Sequence, residues 1–215
     1  MDSYRFRGMR RQLIERLRAE GRYDERVLRV MEVVPRHAFL RDSTFAEHAY
    51  VDEPFPIECG QTISQPSTVA WQTTALNVLS RQHVLEIGTG SGYQAAVLSL
   101  LGARVFTVER HKPLYLTAKL TFKRLQFDRI RSYYRDGSHG LPELAPFDRI
   151  LVTAAAPRVP DKLREQLKVG GLLVIPVGAA EGEQRLLRVE RAGEDTYVEE
   201  DLGGCAFVPF VEGMG

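Results

Sequence analysis

The stretch VLEIGTGSGY, residues 84–93, decides the fold. Its apolar start, within HVLEIG at 83–88, predicts a buried strand, and the run from Tyr93 to Leu101 has the apolar pattern of a helix. Three glycines separate the two, at positions 88, 90 and 92. Glycines at such a turn let the backbone fold back tightly and let a ligand approach it, and the helix N-terminus favours electronegative groups. The turn is therefore a predicted ligand-binding loop.

The glycine spacing and two acidic residues narrow the class of ligand. The order G-x-G-x-G differs from the G-x-G-x-x-G of dinucleotide sites, and no Lys of a phosphate loop occurs from 82 to 111. Glu86 precedes the loop and suits an amino group, and Glu109 ends the next predicted strand and suits a ribose diol. A ligand with a ribose, an ammonium group and no phosphate is S-adenosylmethionine. This order of features resembles the first two motifs of class I methyltransferases; alternatively, the glycines only form the turn.

The chain on both sides of this loop predicts an α/β fold. Short apolar runs alternate with helical patterns, which is typical of a parallel sheet covered on both faces. The predicted strands are 83–88, 103–109, 128–134, 147–154 and 171–178, with helices at 112–125 and 161–168, the latter capped by Asp161. After Gly178, QRLLRVERAG (184–193) and DTYVEEDLGG (195–204) predict antiparallel strands.

The N-terminal part of the chain has a different pattern. Helical spacing runs from Met9 to Leu17 and again after Asp24, residues 35–61 are rich in loops, and a helix is predicted at 66–80. We expect one methyltransferase domain over 1–215, with a helical and loop-containing cap at 1–60 and a cofactor-binding core at 61–215. The fold class is thus α/β and Rossmann-like, a mostly parallel doubly wound sheet with antiparallel C-terminal strands and a helical N-terminal cap.

Composition excludes several kinds of protein. The 215 residues are 44% apolar and 27% charged, as in an ordinary globular protein, and the net charge of +1 gives no reason to expect nucleic acid or a membrane surface as a partner. Two cysteines make neither a disulfide framework nor a zinc site, and the five histidines lack metal-ligand spacing. We expect a cytoplasmic monomer without a metal.

Three further stretches make a resemblance to one family specific. They are AYVD (49–52) with CGQTISQP (59–66), APFD (145–148) with VTAAAPRVP (152–160), and LKVGGLLVIPVG (167–178). Together with EIGTGSGYQAAVL they resemble the protein-L-isoaspartate O-methyltransferases, from about Val34 to Phe210. GQTISQP discriminates best, because class I methyltransferases in general lack it. The resemblance implies a repair enzyme that transfers a methyl group from S-adenosylmethionine to the free α-carboxylate of L-isoaspartyl residues in damaged proteins and peptides, leaving S-adenosylhomocysteine.

The residues suit this chemistry. A carboxylate is already ionised at pH 7, so its methylation needs no general base, only alignment and exclusion of water. Thr62 and Ser64 offer hydroxyls, and the resemblance assigns the active-site serine to Ser64. The alternative is that Ser64 only caps the helix that begins at Pro66. VTAAAP also replaces the Asn/Asp-Pro-Pro-Tyr of many amine methyltransferases, which favours an oxygen acceptor.

The expected site residues fall into two groups. Asp136 and Gly137 match the adenine contact of class I enzymes, although Arg135 replaces the first glycine of the family's Gly-Asp-Gly and an Asp-Gly turn is the alternative. The expected cofactor-binding residues are Glu86, Gly88, Thr89, Gly90, Ser91, Gly92, Glu109, Asp136, Gly137 and Thr153. The expected substrate-binding residues are Thr62, Ile63, Ser64, Val177 and Gly178, with Ser64 catalytic.

Other hypotheses remain open at this point. Tyr50 and Asp52 match family positions and either line the cleft or hold the N-terminal cap. The enzyme could methylate another oxygen acceptor, such as a small carboxylic acid, or the chain could be a cofactor-binding protein that has lost activity. An NAD-dependent dehydrogenase is disfavoured by the glycine spacing.

Overall fold

A computed structural model describes residues 2–41, 43–179 and 182–215. The α-helices of this part are α1 (Tyr4–Ala19), α2 (Glu25–Val33), α3 (Pro66–Leu76), α4 (Tyr93–Leu100), α5 (Lys112–Arg124) and α6 (Asp161–Arg164). The strands are β1 (Phe55–Pro56), β2 (Thr62–Ile63), β3 (His83–Ile87), β4 (Arg104–Glu109), β5 (Ile130–Tyr134), β6 (Phe147–Val152), β7 (Leu167–Gly178), β8 (Gln184–Arg191) and β9 (Tyr197–Cys205). Short segments of 3-10 helix lie at Arg36–Phe39, Ser43–Tyr50, Glu58–Gly60, Gly137–His139 and Pro142–Leu144.

The centre of the molecule is a seven-stranded sheet in the order β5-β4-β3-β6-β7-β8-β9. The first five strands in this order are mutually parallel, and β8 and β9 add to the sheet antiparallel. The chain order reverses next to β3, so the loop that follows β3 lies at the switch point where open α/β sheets bind ligands. The predicted fold class, with its antiparallel C-terminal strands, is confirmed.

Alternating strand residues supply the two halves of the core. Val84 and Val105 face one side of the sheet, in a cluster that includes α1 to α5. Leu85 and Phe106 face the other side, in a cluster with Leu163 of α6. Because β3 is buried on both faces, its sequence is mostly apolar without alternation, and Glu86 is the exception.

Several element boundaries differ from the sequence prediction. The helix expected at 66–80 ends at Leu76, because Asn77 adopts a left-handed conformation with φ 47°. The helix expected at 161–168 spans only Asp161–Arg164, its N-cap is Pro160 rather than Asp161, and β7 already begins at Leu167. Strand pairing of Leu167 with Phe147 outweighs the helical pattern here. None of the helices in the three described ranges has the length and apolar character needed to cross a membrane.

Candidate functional site

A cavity of about 650 Å³ lies at the carboxyl ends of β3, β4 and β6. The loop after β3 forms one wall, and the segment that includes β2 and the start of α3 forms another. The structure thus places expected cofactor-binding residues and expected acceptor-binding residues around the same cavity. Those that line the cavity are Thr62, Ile63, Ser64, Gly88, Thr89, Gly90, Ser91, Glu109, Gly137 and Thr153.

The glycine loop is shaped for close approach. Gly88 and Gly90 have φ values of 96° and 52°, in the region that side chains rarely adopt. A Cβ on Gly88 would lie 2.3 Å from Oγ1 of Thr153, so this glycine makes room for the hydroxyl that donates to the Gly88 carbonyl at 2.8 Å. A Cβ on Gly90 would have only Cδ1 of Ile57 near it, at 3.7 Å, and would otherwise stand in the space beside the loop. Gly90 therefore keeps the loop backbone open to a ligand.

Glu109 supports this loop from the end of β4. One carboxylate oxygen accepts from the backbone N–H of Gly90 at 2.8 Å, and the other accepts from that of His111 at 2.9 Å. Glu109 is buried and lines the cavity. Each carboxylate oxygen has a second lone-pair direction, so the side chain can also accept from a pair of neighbouring hydroxyls.

Glu86 lies behind the cavity wall and not on it, contrary to the expected contact with a ligand amino group. It is fully buried, and the hydroxyl of Thr107 donates to it while contacting the hydroxyl of Thr89 at 2.6 Å. Oε1 of Glu86 has no partner among the described residues. Burial raises the pKa of Glu86 to about 8, because the interior disfavours a charged carboxylate more than the Thr107 hydroxyl stabilises it.

Replacement of Glu86 by Gln should therefore make the stability of the folded protein less dependent on pH. A folded pKa raised from 4.5 to about 8 means that the folded protein holds a proton the unfolded chain has lost. The stabilisation is complete below about pH 4.5 and falls as the pH rises toward 8. We expect the melting temperature of the wild type, relative to Glu86→Gln, to decrease between pH 5 and 8.5. Thermal melts at both pH values check this, with exposed Glu199→Gln as the control; parallel curves for wild type and Glu86→Gln would contradict it.

Three more of the expected site residues lie outside the cavity lining. Gly92 is the N-cap of α4, and a Cβ there would meet the Phe122 ring at 2.7 Å, so it serves packing. Val177 and Gly178 pair with β8, and a Cβ on Gly178 would lie 2.3 Å from the Glu183 carbonyl oxygen. Strand pairing, and not contact with a substrate, therefore accounts for Val177 and Gly178.

Asp136 is also not among the residues that line the cavity, although its neighbour Gly137 is. One oxygen of Asp136 accepts from the N–H of Ser138 at 2.9 Å, which is the Asp-Gly turn alternative. The other accepts from the N–H of Gly213 at 2.8 Å, and the side chain of Arg110 donates to the Gly213 carbonyl at 2.8 Å. The C-terminal residues thus occupy the carboxylate that the resemblance assigned to adenine.

The wall formed by β2 and the start of α3, which we call the acceptor wall, distinguishes between the two interpretations of Ser64, as an active-site residue or as a helix cap. The N-cap of α3 is Gln65 and not Ser64, so helix capping does not explain the serine. The carboxylate of Asp52 accepts from the N–H of Ser67, in the first turn, at 2.8 Å. Within the described ranges the Ser64 hydroxyl makes no hydrogen bond, and it borders the cavity. Tyr50 instead holds the N-terminal cap, with its hydroxyl accepting from Arg10 at 3.1 Å.

One wall of the cavity was not predicted from the sequence. Residues 204–211, which comprise the end of β9 and the segment after it, line the cavity together with the glycine loop. The segment is held by Ala155, whose N–H donates to the Val208 carbonyl at 2.8 Å and whose carbonyl accepts from Phe210 at 2.7 Å. The run GCAFVPFVEG has neither strand nor helix periodicity, so only its apolar character near the chain end could have indicated a packed segment.

These features fit S-adenosylmethionine. The loop N–H groups, the Glu109 carboxylate and the open space at Gly90 match an amino-acid moiety and a ribose, and the cavity volume suits a ligand of this size. No group of three or more His, Cys, Asp or Glu side chains suited to a metal ion occurs among the described residues. The fold and this cavity together define a class I S-adenosylmethionine-dependent methyltransferase.

The comparisons with known proteins identify the family. The model for protein-L-isoaspartate (D-aspartate) O-methyltransferase matches residues 8–215, so the chain belongs to that family. A protein-L-isoaspartate O-methyltransferase of Cytophaga hutchinsonii is 51% identical over 210 residues, covering 98% of this chain and 94% of the relative. One from Cereibacter sphaeroides is 54% identical over 199 residues, covering 93% and 90%.

Solved structures agree with this assignment. A protein-L-isoaspartate O-methyltransferase structure superposes with a TM-score of 0.85 at 28% identity, over 93% of this chain, which spans 65% of that solved chain. A Plasmodium falciparum structure, described as a putative enzyme of this kind in complex with S-adenosyl-L-homocysteine, has a TM-score of 0.84 at 25% identity and covers 95% and 99% of the two chains. The expected methyltransferase activity and cofactor are thus confirmed.

Proposed function

We propose that the protein methylates the free α-carboxylate of L-isoaspartyl residues in damaged proteins and peptides. The observation that carries this is the position of the GQTISQP segment. Its Ser64 hydroxyl borders the same cavity as the glycine loop and has no structural partner among the described residues. A hydroxyl free to donate, facing the cofactor loop, is what an ionised acceptor oxygen requires.

The residues of the chain perform binding and alignment. Gly88 to Ser91 and Gly137 would hold the cofactor, and Glu109 would accept from its ribose hydroxyls. Thr153 fixes the loop through the Gly88 carbonyl. Glu86 and Asp136 support these residues from behind the wall. When bound, S-adenosylmethionine supplies an electrophilic methyl group on its sulfonium sulfur.

The acceptor side needs no proton transfer. An α-carboxylate is ionised at neutral pH, so the site does not have to supply a base, and none of the side chains assigned to the acceptor is one. The hydroxyls of Thr62 and Ser64 hold the carboxylate and direct one oxygen toward the cofactor. The segment 204–211 and the small side chain of Ala154 form the remaining wall, which excludes water while leaving room for a peptide backbone.

Two synthetic peptides test the proposed function. They differ only in whether one Asp is linked normally or through its side chain, and S-adenosylmethionine carries a labelled methyl group. We expect base-labile methyl ester on the isoaspartyl peptide and a rate at least about 100-fold lower on the normal one. Label on neither peptide, with cofactor bound, would instead favour another oxygen acceptor or an inactive binding protein.

The domain organisation, oligomeric state, location and partners of the protein complete the proposal. We propose that the chain acts as one unit, cap 1–60 with core 61–215, as a monomer in the cytoplasm, with damaged proteins and peptides as its partners and neither nucleic acid nor membrane among them. The near-neutral net charge of +1 supports this choice of partners. Sedimentation of the protein at several concentrations tests the monomer.

A further inference from the structure

The start of α3 is capped by a residue from another segment. The first N–H groups of a helix lack partners within it, and a side chain just before the helix usually supplies one. Here the N-cap Gln65 makes no such bond with its own side chain. Asp52, 15 residues earlier than Ser67, accepts from the Ser67 N–H at 2.8 Å and from Nε2 of Gln65 at 3.3 Å. The two residues that it holds lie one and three positions after Ser64 in the chain.

Asp52 is itself anchored to the cofactor side of the molecule. Three residues before it, the Ala49 carbonyl accepts from Nε of Arg36 at 2.9 Å. Arg36 is fully buried, and its guanidinium lies 4.9 Å from the centre of the Tyr93 ring, which borders the cavity at the start of α4. The segment 49–52 therefore links the helix after the glycine loop to the acceptor wall.

We propose that Asp52 is a positioning residue for methyl transfer. It performs the capping that Ser64 would otherwise provide, and so leaves the Ser64 hydroxyl free for the acceptor carboxylate at a fixed distance from the glycine loop. Asp52 does not line the cavity, so it acts through Gln65 and Ser67 and not on the substrate. This inference rests on the proposed function, since it assumes that the acceptor carboxylate binds Ser64.

Removal of the Asp52 carboxylate would leave the Ser67 N–H without its acceptor, and another oxygen could then take its place. The Ser64 hydroxyl stands three residues before it, at the spacing with which an N-cap side chain accepts from the helix. Capture of that hydroxyl by the helix would remove it from the acceptor carboxylate. An error of about 1 Å in the placement of reacting groups can cost about 100-fold in rate.

Asp52→Ala and Asp52→Asn test the proposal, with Asp24→Ala as the matched control. Asp24 is also a helix-capping carboxylate, accepting from Arg26 at 2.8 Å at the start of α2, so its loss should lower the melting temperature comparably. For each variant, kcat and KM on the isoaspartyl peptide and Kd for S-adenosylhomocysteine are measured well below its melting temperature. We expect Asp52→Ala to lower kcat about 10- to 100-fold with Kd within about twofold. Asp52→Asn, which keeps an oxygen acceptor for Ser67, should restore kcat to within about threefold, and Asp24→Ala should leave it unchanged.

The outcomes separate this inference from the proposed function. If the wild type methylates the isoaspartyl peptide but Asp52→Ala retains full kcat, or loses no more than Asp24→Ala does, Asp52 has only a structural role and the inference fails alone. Equal losses in kcat for Asp52→Ala and Asp52→Asn would also overturn it, because the cap is kept in the second variant. If the wild type fails on this peptide while binding S-adenosylhomocysteine, the proposed function fails and takes the inference with it.

Discussion

Gly90→Val should abolish binding of S-adenosylmethionine and with it all methyl transfer. Gly90 lines the cavity, and among the described residues only Cδ1 of Ile57, at 3.7 Å, lies near its Cβ position, so the two methyl groups of Val would occupy the space beside the loop. Its φ of 52° also strains a β-branched residue. The strained loop would in turn misplace the N–H that donates to Glu109. We expect Kd for S-adenosylhomocysteine, measured by titration calorimetry, to rise at least about 100-fold, or about 2.7 kcal/mol.

Gly170→Val separates the steric effect from the backbone strain. Gly170 has φ 78° within β7 and is exposed, and none of the residues that the structure describes has an atom in contact with its Cβ position, so the substitution carries similar strain far from the cavity. Both variants should lose thermal stability, but only Gly90→Val should lose the cofactor. Methyl transfer at the wild-type rate by Gly90→Val would show that the cofactor lies elsewhere.

The fold could be predicted from the sequence because its decisive features are local. A short apolar strand, a glycine turn and a helix in VLEIGTGSGY specify the start of a parallel α/β sheet without reference to the rest of the chain. The length of α6 could not be predicted this way. Its helical pattern continues to residue 168, but Leu167 pairs with Phe147 in the sheet, and buried Gln166 holds the junction by accepting from the Leu141 N–H at 2.8 Å. Partners about 20 residues away decide that boundary.

The sequence predicted which residues lie near the site, but not which of them line the cavity and which lie beneath its wall. Glu86 lies near the end of one predicted strand and Glu109 ends the next, and sequence alone gives no reason to separate their roles. In the sheet, Glu86 pairs with Thr107, two residues before Glu109 on β4. One pleat repeat is about 7 Å, enough to place Glu109 on the cavity and Glu86 beneath it. Register between strands is a property of the folded sheet, so this distinction required the structure.

Ser64→Ala should leave the cofactor site intact and reduce turnover. The hydroxyl makes no bond within the described residues, so its removal disturbs neither α3 nor the glycine loop, and Kd for S-adenosylhomocysteine should stay within about twofold. What is lost is a hydrogen-bond donor to a charged acceptor at the point where alignment matters, and we expect kcat on the isoaspartyl peptide to fall about 100-fold. Single-turnover rates and calorimetry on the same preparation measure the two quantities.

The pattern of the loss decides what Ser64 does. If it only contributes affinity for the acceptor, KM for the peptide rises and kcat is kept, because binding in the ground state and the transition state weaken equally. If it aligns the carboxylate oxygen with the methyl group, kcat falls by the larger factor. Ser99→Ala removes a buried serine hydroxyl on α4, away from the cavity lining, and should change neither constant. Full turnover by Ser64→Ala would leave the backbone N–H groups of the acceptor wall as the groups that hold the carboxylate, and Ser64 would then have no part in the reaction.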